Sequence, residues 1–280
     1  MAEGKEITWQ GNKHQWVIDR VIRDEECKYT VLRAFKQKRD GQEVALKIYF
    51  TKSSRDPAQL KVHRQIFMRE LNVYKESDHP NICKYFDHGI HLDANFISVE
   101  LAGYSIVEHL KDFRQQRLLD EIKVFFRQLL DVLVYLHGKN VAHCDIKPDN
   151  LLIGKDGKLK LVDFCLAKSV NPDVMIHSLE IYGTRPYMAP EIFQLLEHFP
   201  TECDIWSAGA VLVQIVTGFK WAIPFHKDAN FKKLMRRDVE EEPWSLMQPD
   251  MRELALKMLN PEAEFRPTAE EARNCSWLKE

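Results

Sequence analysis

The chain has 280 residues, 45% of them hydrophobic and 29% charged, with a formal net charge of -2. This is a globular composition, with no global charge to hold nucleic acid or an anionic membrane. No apolar run reaches the ~20 residues of a membrane span. Met1 to Trp16 is polar rather than signal-like. The six cysteines, at 27, 83, 144, 165, 203 and 275, include no Cys-x-x-Cys and no zinc-ligand spacing. They read as reduced thiols of an intracellular protein, cytoplasmic or nuclear.

In chain order, "WVIDRVI" (16–22), "YTVLRAF" (29–35) and "EVALKIYF" (43–50) read as strands. Asp40-Gly41 signals a hairpin turn before the third. Residues 58–76 carry Leu60, Ile66, Phe67, Leu71 and Tyr74 at helical spacing. "HPNICKYFDHGI" (79–90) and "NFISVEL" (95–101) supply two more strands, which makes a small β-rich unit with one helix. "ELAG" (100–103) is the expected joint to a mostly helical second half. There "EIKVFFRQLLDVLVYLHGKN" (121–140) is a long amphipathic helix with Gly138 near its end. "KLKLVDF" (158–164) follows, then a polar segment up to about Glu191. "DIWSAGAVLVQIVTG" (204–218) reads as a buried helix stopped by Gly218, and two further helices are expected around 249–259 and 268–274.

The chemistry concentrates in "HCDIKPDNLLI" (143–153). Asp145, Lys147 and Asn150 precede a buried-strand pattern, and Asp163 ends another apolar run. Taken singly, an Asp near a turn is more often a cap than a catalyst. Taken together in this order they suit phosphoryl transfer. One carboxylate orients an attacking hydroxyl, an amine neutralises the migrating group, and an amide oxygen with a second carboxylate holds magnesium.

"HCDIKPDN", "DFC" (163–165), "GTRPYMAPE" (183–191), "DIWSAG" (204–209) and "FRP" (265–267) together resemble a eukaryotic protein kinase of the serine/threonine type. Within that family "YLHGKNVAH" and "GTRPYMAPE" are most similar to the calcium/calmodulin-type and checkpoint kinases. The resemblance implies an α+β, two-lobed fold. Residues 1–15 would be an N-terminal extension, 16–100 a small β-rich lobe and 101–280 a helical lobe, with one catalytic domain over 16–279. It implies ATP and Mg2+ as cofactors and protein serine or threonine as acceptor.

Carried over by position, Asp145 is the catalytic base, Lys147 the γ-phosphate contact, and Asn150 and Asp163 the magnesium ligands. Lys47 of "VALK" holds the α- and β-phosphates, with Glu70 as its ion-pair partner. Val31, Ala45 and Leu152 sandwich the adenine. Val99 is the gatekeeper, and the backbone of Glu100 and Ala102 faces the base. Thr184 positions Asp145 and Lys147, Glu191 pairs with Arg266, and Asp204 anchors the catalytic loop.

Three departures keep a second reading open. "RDEECKYTV" (23–31) has no glycine where the family's nucleotide-covering loop has three; Asp24, Glu26 and Tyr29 fall about there. Their side chains block close approach of backbone N–H groups to phosphates, and two carboxylates repel a triphosphate. Cys165 of "DFC" replaces a glycine and restricts switching of the magnesium loop. Cys144 of "HCD" replaces an arginine that usually pairs with a segment phosphate, which disfavours activation by phosphorylation at sites such as Ser178. These departures point to a pseudokinase scaffold with weak or no nucleotide binding as the alternative. A small-molecule phosphotransferase of related fold is disfavoured by "GTRPYMAPE" and "DIWSAG". The resemblance to the checkpoint-type kinases implies a preference for arginine upstream of the acceptor: Asp149 fits the first acidic position, whereas the second falls on Ile106, with Glu108 close by.

Overall fold

The computed structural model describes residues 8–25, 29–36, 43–50, 57–91, 94–111, 115–177, 181–218 and 244–279. The chain divides into two compact units, Met1–Gly103 and Tyr104–Glu280.

Among the described residues, the first unit is a six-stranded antiparallel sheet and one helix. Its strands are β1 (Thr8–Gln10), β2 (Gln15–Glu25), β3 (Tyr29–Lys36), β4 (Glu43–Phe50), β5 (Tyr85–His91) and β6 (Ala94–Glu100), in the order β1-β2-β3-β4-β6-β5. Helix α1 spans Pro57–Glu76. Strand β4 is central and obeys the two-residue period of a pleated strand. Val44, Leu46 and Ile48 enter a core with Trp16, Ala94 and Phe96. On the opposite face, the Tyr49 ring meets Phe67 of α1 edge-on, with centroids 5.4 Å apart. Asp40-Gly41 and Glu26 lie outside the described residues. Asp24 and Tyr29 fall on β2 and β3, where Asp24 pairs with Thr30 and Glu25 with Tyr29.

Residues 8–14 are a correction to the expected N-terminal extension, because they belong to the sheet. β1 pairs with β2, with Trp9 opposite Trp16. The same segment also reaches the far edge strand. The Asn12 N–H donates to the His88 carbonyl at 3.0 Å, and Trp9 stacks on His91 at 4.5 Å. The Lys13 and His14 N–H groups donate to Asp87 Oδ2 at 2.7 and 2.9 Å. One backbone hydrogen bond of the β5 edge is thereby satisfied by this segment. Gly11 is required at this crossing, since a Cβ there would lie 2.3 Å from Asp87 Oδ2. Asp87 is fully buried, so Asp87→Ala would leave two N–H groups without their charged acceptor. We expect a loss of about 2–3 kcal/mol, read as a Tm several degrees lower together with faster amide exchange over residues 8–14. A change confined to Tm, with no added exchange there, would mean the carboxylate does not tether the segment.

The second unit is mostly helical: α2 (Ile106–Leu110), α3 (Gln115–Gly138), α4 (Pro190–Phe193), α5 (Pro200–Thr217), α6 (Pro249–Met258), α7 (Ala269–Arg273) and α8 (Ser276–Lys279) among the described residues. It also holds three two-stranded sheets among the described residues. β7 (Val141–Ala142) pairs with β10 (Lys168–Ser169), β8 (Leu151–Ile153) with β9 (Leu159–Leu161), and β11 (Ile176–His177) with β12 (Glu197–His198). Helix α5 is apolar around most of its circumference, and accordingly it is buried from Cys203 to Trp206 and from Ala208 to Gln214. It ends at Gly218, with φ 71°. Helix α7 begins with a reciprocal capping box between Thr268 and Glu271. No described helix is long and apolar enough to cross a membrane.

Candidate active site

In the first unit the chemistry lies under α1. Lys47 points from the α1-facing side of β4, and Glu70 shares a helical face with Phe67, Leu71 and Tyr74. The Lys47 Nζ donates to both carboxylate oxygens of Glu70, at 3.0 and 2.9 Å. The Tyr49 hydroxyl also donates to Glu70. Glu70 is fully buried and Lys47 is 7% exposed. An ammonium held this way is a fixed point charge rather than a mobile surface group. Ala45 and Val99 are paired across β4 and β6, and Val31 lies opposite Lys47 on β3. The Glu100 N–H donates to the Lys84 carbonyl at 2.8 Å, so what Glu100 offers a ligand is its own carbonyl oxygen.

In the second unit, the loop between β7 and β8 carries Asp145, Lys147 and Asn150. Its shape is imposed from α5. Asp204, buried in that helix, accepts from the His143 N–H at 2.7 Å and the Cys144 N–H at 2.8 Å. His137 Nε2 lies 3.0 Å from the same carboxylate. Cys144 is held in the left-handed region, φ 66°, an uncommon conformation for a side-chain-bearing residue. His143 acts as a second organiser. Its Nε2 lies 3.1 Å from the Val162 carbonyl, which can only accept, so Nε2 carries the proton. Nδ1 then accepts the Asp145 N–H at 3.2 Å, and Phe164 packs edge-on against the ring.

These restraints converge on Asp145. Its Oδ1 accepts the Thr184 hydroxyl at 2.7 Å. Its Oδ2 pairs with Lys147 Nζ at 2.8 Å, and Lys147 also donates to Thr184 Oγ1 at 2.9 Å. The Asn150 Nδ2 donates to the Asp145 carbonyl at 2.9 Å and to Oδ2 at 3.2 Å. Asn150 is fully buried, and its amide oxygen has no hydrogen-bond partner among the described residues. Leaving a buried acceptor unpaired is costly. The donors on Nδ2 fix the amide orientation, which leaves this oxygen available to an outside ligand. A hard cation with oxygen ligands satisfies that requirement, and the Asp163 carboxylate adds an anionic oxygen donor. The donor set therefore fits magnesium.

The remaining expected residues fall as follows. Leu152 is on β8, opposite Lys160 and bridged to Ser105. Asp163 has φ 69°, and its Oδ1 accepts the Cys165 N–H at 3.4 Å. Cys165 itself is not among the described non-glycine residues with positive φ. The turn places its left-handed residue at Asp163, and a Cβ at 165 is accommodated. Glu191 and Arg266 form a buried two-pronged pair at 2.6 and 2.9 Å. Asp149 is exposed, Ile106 buried and Glu108 exposed. Ser178 lies outside the described residues. Cys83, Cys144, Cys165, Cys203 and Cys275 are free thiols.

Sequence reading overlooks Tyr49, His143 and His137 as organisers. Tyr49 was recoverable, because it follows Lys47 by one strand period on the same face. The contact of His137 with Asp204 spans 67 residues and has no local signal.

A family model described as "Protein kinase domain" matches residues 27–278. Sperm motility kinase 2B of Mus musculus is 31% identical over 219 residues, 76% of this chain and 43% of that protein. CBL-interacting serine/threonine-protein kinase 10 of Arabidopsis thaliana is 30% identical over 225 residues, 75% of this chain and 44% of that protein. Maternal embryonic leucine zipper kinase of Xenopus laevis is 30% identical over 249 residues, 85% of this chain and 35% of that protein. The chain thus spans less than half the length of these relatives.

Proposed function

Because the chain belongs to the protein kinase family, we propose that it transfers the γ-phosphate of ATP to serine or threonine hydroxyls of protein substrates. The observation that carries this reading is the Asp145–Lys147–Thr184 hydrogen-bonded set beside the unpaired, buried amide oxygen of Asn150. That arrangement is costly to keep unless it meets a ligand.

Asp145 receives the acceptor hydroxyl and takes its proton. The acceptor oxygen bonds to the γ-phosphorus as the bond to the bridging oxygen breaks, and ADP leaves. Lys147 neutralises charge on the migrating phosphoryl group. Lys47, fixed by Glu70, holds the α- and β-phosphates. Asn150 and Asp163 would hold magnesium, which would supply further charge neutralisation at the phosphates. Val31, Ala45, Val99 and Leu152 supply apolar contacts for the adenine, and the backbone of Glu100 and Ala102 its polar contacts. The serine/threonine assignment is supported by the lysine two residues after Asp145, by Thr184, and by similarity to the Arabidopsis serine/threonine-protein kinase. Exposed Asp149 supports acceptors preceded by basic residues.

Thermal melting with and without magnesium-ATP tests the nucleotide site. A ligand at ~100 times its Kd that binds only the folded protein adds ~2.7 kcal/mol, a rise of several degrees for a chain of this size. A magnesium-dependent rise is the expected result. No rise at millimolar nucleotide would leave the glycine-free loop as the dominant feature and move the protein to the binding-module reading.

A further inference from the structure

Tyr182 is used by none of the chemistry above, yet its side chain is held from two sides, two residues before Thr184. It is 8% exposed. Its hydroxyl lies 2.5 Å from His198 Nε2. His198, 2% exposed, has its other ring nitrogen 2.7 Å from the Leu196 carbonyl. That carbonyl can only accept, so Nδ1 carries the proton, Nε2 is the acceptor and the Tyr182 hydroxyl donates. Lys168 Nζ stands 3.6 Å over the centroid of the Tyr182 ring, within cation–π range.

The two grips come from separate small sheets. Lys168 is on β10, opposite Ala142 of β7 and so next to the catalytic loop. His198 is on β12, opposite Ile176 of β11. On the C-terminal side of Tyr182 the chain has no slack. Gly183 has φ 93°, and a Cβ there would come within 3.0 Å of the Cys144 carbonyl oxygen. The next residue is Thr184, bonded to Asp145 and Lys147. Tyr182, Thr184, Cys144 and Asp145 also line one small cavity with Cys203 and Asp204. Burial, with the fields of Cys144, Cys203, Asp204 and Glu191 adding to it, pushes the Tyr182 hydroxyl far above its ordinary range. It therefore remains a neutral donor at any working pH.

We propose that Tyr182 is a positioning residue for phosphoryl transfer: gripped by Lys168 and His198, it seats Thr184 on Asp145 and Lys147 with no phosphate on the segment. This rests on the kinase reading above. Cys144, a buried thiol next to Asp145, offers no cation with which a phosphate there would pair.

The test compares Tyr182→Phe, His198→Gln and His198→Leu with the wild type in a peptide-phosphorylation assay with magnesium-ATP. Amide exchange across residues 181–188 is measured in parallel. Tyr182→Phe keeps the ring over Lys168 and removes only the donated hydrogen bond. We expect kcat to fall about tenfold, the size of one buried hydrogen bond fully expressed at the transition state. The KM for ATP should stay within about twofold, and exchange across 181–188 should rise. His198→Gln keeps an acceptor near the position of Nε2 and should lose less kcat than His198→Leu. Phosphatase-treated wild type and Ser178→Ala should keep full kcat. Wild-type kcat and exchange in Tyr182→Phe would overturn the inference, as would loss of wild-type activity on phosphatase treatment. Absence of any transfer by the wild type would remove the kinase reading and the catalytic part of the inference with it. The exchange measurement needs no activity, and an unchanged pattern in Tyr182→Phe would overturn the seating by itself.

Discussion

Asp145→Asn is expected to lower the rate of peptide phosphorylation by about 10²–10⁴-fold, the usual contribution of a positioned proton acceptor. The substitution keeps size and shape but replaces one carboxylate oxygen with an NH2 group. In the wild type both oxygens accept: Oδ1 from Thr184, and Oδ2 from Lys147 and Asn150. With the amide oxygen kept toward Lys147 and Asn150, the NH2 faces Thr184, whose hydroxyl can then no longer donate to it. The variant thus loses the proton acceptor and one of the contacts that fix its orientation. The reading assigns Asp145 no magnesium or nucleotide contact. The melting shift caused by magnesium-ATP should therefore survive, and that separates lost chemistry from lost binding. A variant that retains more than about a tenth of the wild-type rate would show that Asp145 is not the proton acceptor.

The largest stability effect is expected at Arg266. Its guanidinium donates to both oxygens of Glu191, to the Glu202 carbonyl at 3.1 Å and to the Asn260 carbonyl at 2.8 Å. Removing one partner of such a buried pair leaves an uncompensated charge and costs about 3–5 kcal/mol. Arg266→Met, which keeps much of the volume, should show that loss in denaturant melts at pH 7. Replacing both residues by apolar ones should recover part of it, because the stranded carboxylate is then gone. A cost below about 0.5 kcal/mol for the single variant would mean that the pair does not hold this region.

The pH dependence gives an independent check. Burial raises the Glu191 pKa, but the hydrogen bonds and charge of Arg266 outweigh it. The carboxyl is thus held below its ordinary value of 4.5. A folded-state pKa below the unfolded value contributes stability that is present above the unfolded pKa. That stability is lost as pH falls through the folded one. Wild-type stability should accordingly decline below about pH 4.5. In Arg266→Met the burial acts without Arg266, so Glu191 takes up a proton more readily than in the unfolded chain. The gap between variant and wild type should narrow as the pH is lowered. A gap that stays constant between pH 7 and pH 4 would place the cost in lost packing rather than in the charge.

What the sequence settles by itself is local. Strands β3 and β4 follow from two-residue alternation, and α1 and α3 from 3.6-residue spacing. Those periods are steric properties of the backbone, independent of what the element packs against. Lys47 could be placed on its strand, and Asp145, Lys147 and Asn150 together, because each assignment spans eight residues or fewer. Tertiary packing decided the rest. It joined β1 and Asn12–His14 to β5 across more than 70 residues, which converts an expected tail into part of the sheet. It placed Asp204 on the amides of His143 and Cys144, 61 and 60 residues away, and so set the catalytic loop into a left-handed turn at Cys144. It put the strain of the "DFC" turn at Asp163 rather than at Cys165, so the lost glycine is tolerated. It also brought Lys168 and His198 to Tyr182, a residue with no motif of its own. A hydrogen bond across such distances depends on how whole elements pack, and no spacing in the chain encodes it.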